Sequence, residues 1–459
     1  MTISRLEEKI ERDQRIGGTL LLESNDETFP LTGFLYKDGG NIIVETVVLP
    51  ENALYTTFRR GITLFLNGVF QEPKALAPVA VFRTGWGVVT LLEIGSPVVA
   101  EFIDGAPIEV KFYPRYTVLE TVEQKLREPT LARSRISGLA HWMHDSYITR
   151  PIGVDNSDDP EDPQTSAVSI STRDFKPVVF AFEDFTIRIS SDPEMIRDRA
   201  QDLVGLAFHP MATVEFSNSA EWGDLLNSLH EIQDLVMLLC WRNLRPSLLS
   251  MVFEPELPGT ETLDRWSRVF TSRFEGPRKT DVDQRLDFVM RFSSLNAESV
   301  EIWLLKRSEH AHAVSLFLQV IGSPTMSHEV RALQLGAGIE ALGFKLVARQ
   351  VGAEKANRFR AEKLFRAVAL PAVKLFPATF ASWARDANEC YQAMKHLNRD
   401  RLLTGFVAET NDRSTVVIQI WLATILGASE EEIVEYVENC ARFKSNYRKL
   451  LDPSKYAPS

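Results

Sequence analysis

The spacing of the apolar residues changes along this chain, and that change limits what it can fold into. From Gly17 to about Tyr116 the apolar residues fall in short runs: GTLLLE, LTGFLYK, NIIVETVV, ITLFLNGVF, VVTLLE, PVVAEFI and IEVKFY. Turn-forming groups separate them, among them Asp38-Gly39-Gly40, Gly85-Trp86-Gly87 and Asp104-Gly105. Short runs of Val, Ile, Leu and Phe bounded in this way predict antiparallel strands in a sandwich or a curled sheet. A second β set, SAVSIST, PVVFAFE, FTIRIS and LAFHPMATVEFS, carries the pattern to about residue 217. Around Gly138, SRISGLAHWMH predicts a short helix, and VDNSDDPEDPQTS is acidic and Pro-containing, a solvated loop.

The period then becomes helical. Asn218 and Glu221 have capping-box spacing, and Trp222, Leu225, Leu226, Leu229, Ile232, Val236 and Leu239 recur on one face. A further helical region is expected from about Asp281 to Gly322, where Gly322-Ser323-Pro324 stops it. Beyond lie HEVRALQLGAGIEALGFKLVARQ, EKANRFRAEKLFRAVAL, ASWARDANECYQAMKHLN, STVVIQIWLATILG and SEEEIVEYVENCARFKSNYRKLL, the last opened by a Ser429/Glu432 capping box. Long helices joined by short loops predict a bundle. The fold class is therefore α+β. A β-containing region spans 1–322 (β-rich 17–217, helical 218–322), and an all-α region spans 326–451.

Composition narrows the function. Among 459 residues, 44% are hydrophobic, enough for sizeable cores, and no apolar run approaches the roughly 20 residues needed to span a bilayer. The charged N-terminus MTISRLEEKIERDQR has no apolar signal core. Three widely spaced cysteines (Cys240, Cys390, Cys440) argue against a disulfide framework and fit a reducing cytoplasm. A net charge of −11 disfavours broad nucleic-acid coating but leaves room for a local basic site. There is no phosphate-binding glycine loop, nucleophile elbow or HExxH helix, and no cofactor is expected. His310 and His312 point to different helix faces, and His141 and His144 lack a third ligand nearby. The run at Asp155–Asp162 has Pro160 where a calcium loop needs glycine, so no metal is expected.

One helix carries a candidate site. From Ser382 to about Asn398, the residues Trp383, Ala387, Cys390, Met394 and Leu397 form an apolar stripe. Arg385, Glu389, Gln392, His396 and Arg399 follow the same spacing displaced by two residues, roughly 200° around the helix. His396 thus faces outward, with Lys395 beside it and Arg399 near. Basic residues at a helix C-terminus also complement the macrodipole, which needs no function. An imidazole with nearby cations can equally do acid–base work on RNA.

Several segments resemble the ApeA family of bacterial anti-phage proteins. GGTLLLESNDETFPLTGFLYKDGGNIIVE resembles the opening of its N-terminal domain, and GWGVVTLLE its Gly-then-TLL strand. AEWGDLLNSLHEIQDLVMLLCWRNLRP resembles its long helix. HEVRALQLGAGIEALGFKL, with Glu340, resembles the first helix of a HEPN domain, and DANECYQAMKHLNR sits where the family carries its HEPN motif. The resemblance implies abortive-infection immunity, with an N-terminal sensor region and a C-terminal HEPN-like domain that cuts RNA without a metal as a homodimer. The RNA would be tRNA or another structured RNA, and the trigger phage-derived. The usual motif has Arg and His separated by four to six residues. His396 matches the His, but positions 389–391 hold Glu, Cys and Tyr, and the nearest upstream arginine is Arg385.

Two functions follow. In the first, His396 is the general base of an endoribonuclease, helped by Arg399 or Lys395. In the second, the chain is a non-catalytic sensor or RNA-binding protein that keeps the HEPN fold.

Overall fold

The computed structural model describes residues 5–24, 27–38, 41–56, 79–94, 98–99, 106–120, 129–143, 177–198, 203–217, 222–244, 247–253, 266–271, 286–396 and 402–439. Helix α1 (Arg5–Glu11) leads into β1 (Ile16–Ser24), β2 (Glu27–Asp38), β3 (Asn41–Val48), β4 (Val79–Thr84), β5 (Gly87–Ile94), β6 (Val98–Val99), β7 (Ile108–Phe112), β8 (Pro114–Glu120) and β9 (Pro129–Arg135). Next come α2 (Leu139–Trp142), β10 (Val178–Ala181), β11 (Phe185–Asp198), β12 (Leu203–Phe216), α3 (Trp222–Cys240), β13 (Ser247–Phe253) and β14 (Ser267–Phe270). From Ala297 the described elements are helices: α4 (Ala297–Glu309), α5 (Ala311–Gly322), α6 (His328–Val351), α7 (Ala353–Ala356), α8 (Ala361–Leu375), α9 (Pro377–Phe380), α10 (Trp383–Lys395), α11 (Thr404–Ile425) and α12 (Glu430–Asn439). The α+β class read from the periodicity is the observed one. The expected strand at ITLFLNGVF, the first strand of the second set, the Asn218/Glu221 cap and the acidic loop lie outside the described residues.

The chain forms two compact units. One comprises Met1–Arg135, Thr213–Leu229 and Arg245–Arg278, the other Ile136–Ala212, His230–Leu244 and Lys279–Ser459. Gly322-Ser323-Pro324 is a turn inside the second, because α5 and α6 pack on each other across it.

In the first unit, β1 pairs with β2 and β4, β2 with β3, β3 with β7, β4 with β5, and β5 with β8, all antiparallel. Only Tyr113 separates β7 from β8. One bent strand therefore pairs with β3 along its first half and with β5 along its second, and the sheet curls closed into a barrel. Its inward residues alternate along the strands, as a period of two requires: Leu20 and Leu22, Leu31 and Leu35, Val44 and Val48, Val89 and Leu91, Ile108, Val110 and Phe112 share one core. Gly18 and Gly33 face each other across β1 and β2. A Cβ on Gly18 would lie 2.3 Å from the Arg83 carbonyl oxygen and 2.7 Å from the Phe82 ring, so the glycine makes room for that buried ring. Helix α1 adds Leu6 and Ile10 to the same core, while its Glu7 and Glu11 pair with Arg268, each at 3.3 Å. Beyond the ring, β8 pairs with β14, β14 with β13, and β13 with β9. These three strands were not singled out from the sequence.

In the second unit, α6 is central and packs on α5, α7, α8, α10 and α11. Its glycines allow this. A Cβ on Gly336 would meet the Tyr391 ring at 2.4 Å, one on Gly338 the Phe317 ring at 2.5 Å, and one on Gly343 the Leu364 carbonyl oxygen at 2.3 Å. Ser327 caps α6 through Val330 N–H (3.3 Å), and the Ser429/Glu432 capping box forms in both directions, at 3.2 and 3.3 Å. The buried Gln419 amide donates to the Leu239 carbonyl at 2.9 Å and accepts from the Tyr436 hydroxyl at 3.1 Å, so α11 closes the exposed C-terminal carbonyls of α3. The helical region expected from about Asp281 to Gly322 consists of two helices that meet at His310, where the backbone leaves helical geometry (φ −106°, ψ 24°). Its described first residues, 286–296, are not α-helical. The His310 imidazole is buried there, edge-on to Trp421 at 5.7 Å.

Candidate functional site

The apolar stripe read on α10 is buried: Trp383, Ala387 and Cys390 are inside, and Met394 packs on Ala332, Cys390 and Val407. That small cluster also takes in Leu402 and Phe406. It gathers the N-terminal part of α6, the C-terminal part of α10 and the start of α11.

Helix α10 ends at Lys395, earlier than expected. His396 is its C-cap, in extended conformation (φ −121°, ψ 111°), and its N–H still bonds the Gln392 carbonyl at 3.1 Å. His396 is exposed, and its Nε2 lies 3.1 Å from Gln392 Oε1. The Lys395 ammonium donates to the Tyr391 hydroxyl at 3.4 Å and sits 5.1 Å from the centre of that ring. Tyr391 in turn donates to Glu340 Oε2 at 2.8 Å. Burial pushes the Tyr391 hydroxyl pKa upward, and the Glu340 carboxylate pushes it further the same way. Lys395, Tyr391 and Glu340 thus form one chain of contacts from α10 to α6. Arg399 and Leu397 lie outside the described residues.

The arginines close to this helix are held elsewhere. Arg385 is exposed and bonds Asp386 Oδ1 at 3.3 Å, and Arg413 of α11 is buried and bonds Asp386 Oδ2 at 3.2 Å. Ser382 Oγ donates to the same carboxylate at 2.9 Å. The Asp386–Arg413 pair was missed in the sequence. The signal was present, because Asp386 lies between Trp383 and Ala387 at the edge of the apolar stripe. The Cys390 thiol is buried, and burial raises its pKa to about 11, so it is no nucleophile near neutral pH.

Among the described residues no group of three or more His, Cys, Asp and Glu is placed to hold a metal ion, and no helix is long and apolar enough to cross a membrane. His310 sits at the junction of α4 and α5, and His312 follows on α5. His141 is exposed on α2, and His144 lies outside the described residues.

The chain thus combines an antiparallel β unit with a helical unit, and His396 is exposed at the end of a helix. The model of the family described as ApeA N-terminal domain 1 matches residues 18–304. The match covers more than half of the chain, which therefore belongs to the ApeA family of anti-phage defence proteins. No curated protein and no solved structure matches it.

Proposed function

We propose that the chain is an abortive-infection effector whose helical region is a HEPN-type, metal-independent endoribonuclease controlled by the β-containing region. The observation that carries this reading is the exposed His396 at the end of α10, beside a lysine tethered through Tyr391 to Glu340. If the Gln392 amide oxygen accepts from Nε2–H, the free lone pair of His396 is on Nδ1. That nitrogen takes the proton of a ribose 2′-hydroxyl, and the 2′-oxygen attacks the adjacent phosphorus. Lys395 or Arg399 stabilises the phosphorane, and Lys395, which unlike arginine can release a proton, protonates the leaving 5′-oxygen. The products are a 2′,3′-cyclic phosphate and a 5′-hydroxyl.

The proposed partner surface is a second copy of the helical region. Val330, Leu333 and Leu403 are exposed on the parts of α6 and α11 gathered at the His396 end of α10, and a homodimer there would cover them. The substrate would be tRNA or another structured RNA, cut in a single-stranded loop after a phage-derived trigger. The decisive experiment is induced expression of wild type and His396→Ala, scoring growth and total RNA integrity. Loss of toxicity and of RNA cleavage in the variant supports the reading, and equal behaviour of the two proteins removes it.

A second reading has its own observation. Tyr391 stands at one of the three positions for the motif arginine and is engaged with Glu340, while Arg385 and Arg413 are both engaged with Asp386. A HEPN-fold sensor or RNA-binding protein without catalysis fits those contacts. Purified protein that binds RNA and leaves it whole, with His396→Ala the same, selects this reading.

A further inference from the structure

The chain as a whole is acidic, with a net charge of −11, yet one short stretch of its helical unit is strongly basic. Between Glu354 and Arg366 stand Lys355, Arg358, Arg360, Lys363 and Arg366 against only Glu354 and Glu362. All five cations are exposed. Arg358 pairs with Glu354 at 2.6 Å and Arg366 with Glu362, one helical turn away in each case. Lys355, Arg360 and Lys363 have no carboxylate partner among the described residues. The Lys363 ammonium stands 3.4 Å from the centre of the Phe359 ring.

These charges do not serve α8 itself. Arg360 is its N-cap residue, and Lys363 lies in its first turn, the end where the helix dipole disfavours positive charge. The opposite face of α8 is apolar and committed to the bundle through Leu364, Phe365, Val368, Ala369 and Ala372. Phe365 packs on Trp383 and Tyr391 of α10, with ring centres 6.1 and 6.0 Å apart. The basic face is therefore the outer side of the helix that packs directly on the one ending in Lys395 and His396. Residue 391 precedes His396 by five positions, roughly 7.5 Å along a helix axis.

We infer that Lys355, Arg360 and Lys363 form a track for the phosphodiester backbone of single-stranded RNA, which would hold the strand whose cleavage was proposed for His396. Charge complementarity selects this occupant. A membrane surface would need apolar side chains to immerse beside the cations, and on α8 only Leu370 is a large exposed hydrophobic. The RNA identity rests on the nuclease reading, whereas the binding of a polyphosphate chain does not.

The test uses the full chain and a short fluorescein-labelled RNA with 2′-O-methyl riboses, which cannot be cut. Anisotropy is read across a salt series. Each phosphate neutralised on a single strand adds about 0.7 to the slope of log affinity against log salt. The variant K355E/R360E/K363E should bind at least tenfold more weakly at low salt, with a slope smaller by about 2. Its circular dichroism and melting temperature should match wild type, because all three side chains are exposed. K355R/K363R should bind as wild type. Unchanged affinity and slope in the triple glutamate variant overturn the proposal. So does charge-dependent binding to phosphatidylserine vesicles with none to RNA. Failure of the nuclease reading looks different: RNA is held with the expected slope, while an unmodified RNA stays whole.

Discussion

The Tyr391 hydroxyl donates to Glu340 at 2.8 Å and so fastens α10 to α6. Removing it in Tyr391→Phe should cost about 1 kcal/mol, the net worth of a typical internal hydrogen bond. Urea unfolding checks this, with Glu340→Gln and the double variant completing the cycle. The Tyr391 pKa is raised in the fold, so the stability it contributes is present below the free-tyrosine value near 10. It is lost as pH rises through the folded value. Alkaline titration followed by tyrosinate absorbance should show one late-ionising tyrosine fewer in Tyr391→Phe than in wild type, where Tyr36 is raised as well.

The buried pair Asp386–Arg413 should be unforgiving of half-measures. Asp386→Ala leaves the buried Arg413 guanidinium with only Glu409, 3.8 Å from its Nε, and should destabilise by up to about 3 kcal/mol, the low end for breaking a buried pair. Replacing both residues by apolar ones of similar size should recover much of that loss. A single variant with wild-type stability would show that Arg413 does not depend on Asp386.

His310 makes the helical unit acid-sensitive. Burial lowers its pKa to about 4, and Lys306 and Lys345 lower it in the same direction. Glu309 is the carboxylate that faces it, with an oxygen 3.9 Å from Nε2. An unfolded histidine titrates near 6.5. Stability from the neutral, packed ring is therefore complete above about pH 6.5 and lost as pH falls toward 4, by as much as about 3 kcal/mol. His310→Phe should flatten the melting temperature between pH 7 and pH 5, and an equally steep decline in that variant would assign the effect to other groups.

The close approaches at glycines give an ordered pair of predictions. Gly343→Ala meets the Leu364 backbone, which cannot swing aside, whereas Gly338→Ala meets the Phe317 ring. Both should destabilise, the first at the upper end of about 1–3 kcal/mol for overpacking and the second less. Thermal unfolding of the two variants decides the order.

If the chain is a nuclease, cleavage should persist in EDTA, since the groups offered are an imidazole and cations. A 2′-deoxy residue at the scissile position should block it. His396→Ala should lower the rate at least about a hundredfold. Cleavage should fall on both sides of neutral pH, because one group must be neutral as base while another stays protonated.

Local signals in the sequence were read well, and long-range ones were not. The barrel strands β1, β2, β3, β5 and β7, the Ser429/Glu432 capping box and the buried stripe of α10 each depend on residues a few positions apart, and each is present, whereas β4 and β8 were not singled out. The pairing of Val118 with Val269 joins residues far apart in sequence, so no local pattern announces it. The break at His310 has neither glycine nor proline to mark it and is set by burial against Trp421. The glycines of LQLGAGIEALG were not singled out in the sequence, and the neighbours that fill the space beside them come from other helices. At the candidate site, the outward face of His396 was legible from spacing. The use of Tyr391 and both arginines by carboxylates needed the third dimension.

The bent strand at Tyr113 restricts how the barrel can respond to anything that binds it. A strand in an open sheet can slip past one neighbour by two residues and keep its inward face. Here one continuous stretch of backbone is held by β3 at one end and β5 at the other, so a slip against either partner must be matched at once against the other. Sliding of strands is thereby locked, and the register of the whole ring is fixed by that single stretch of backbone.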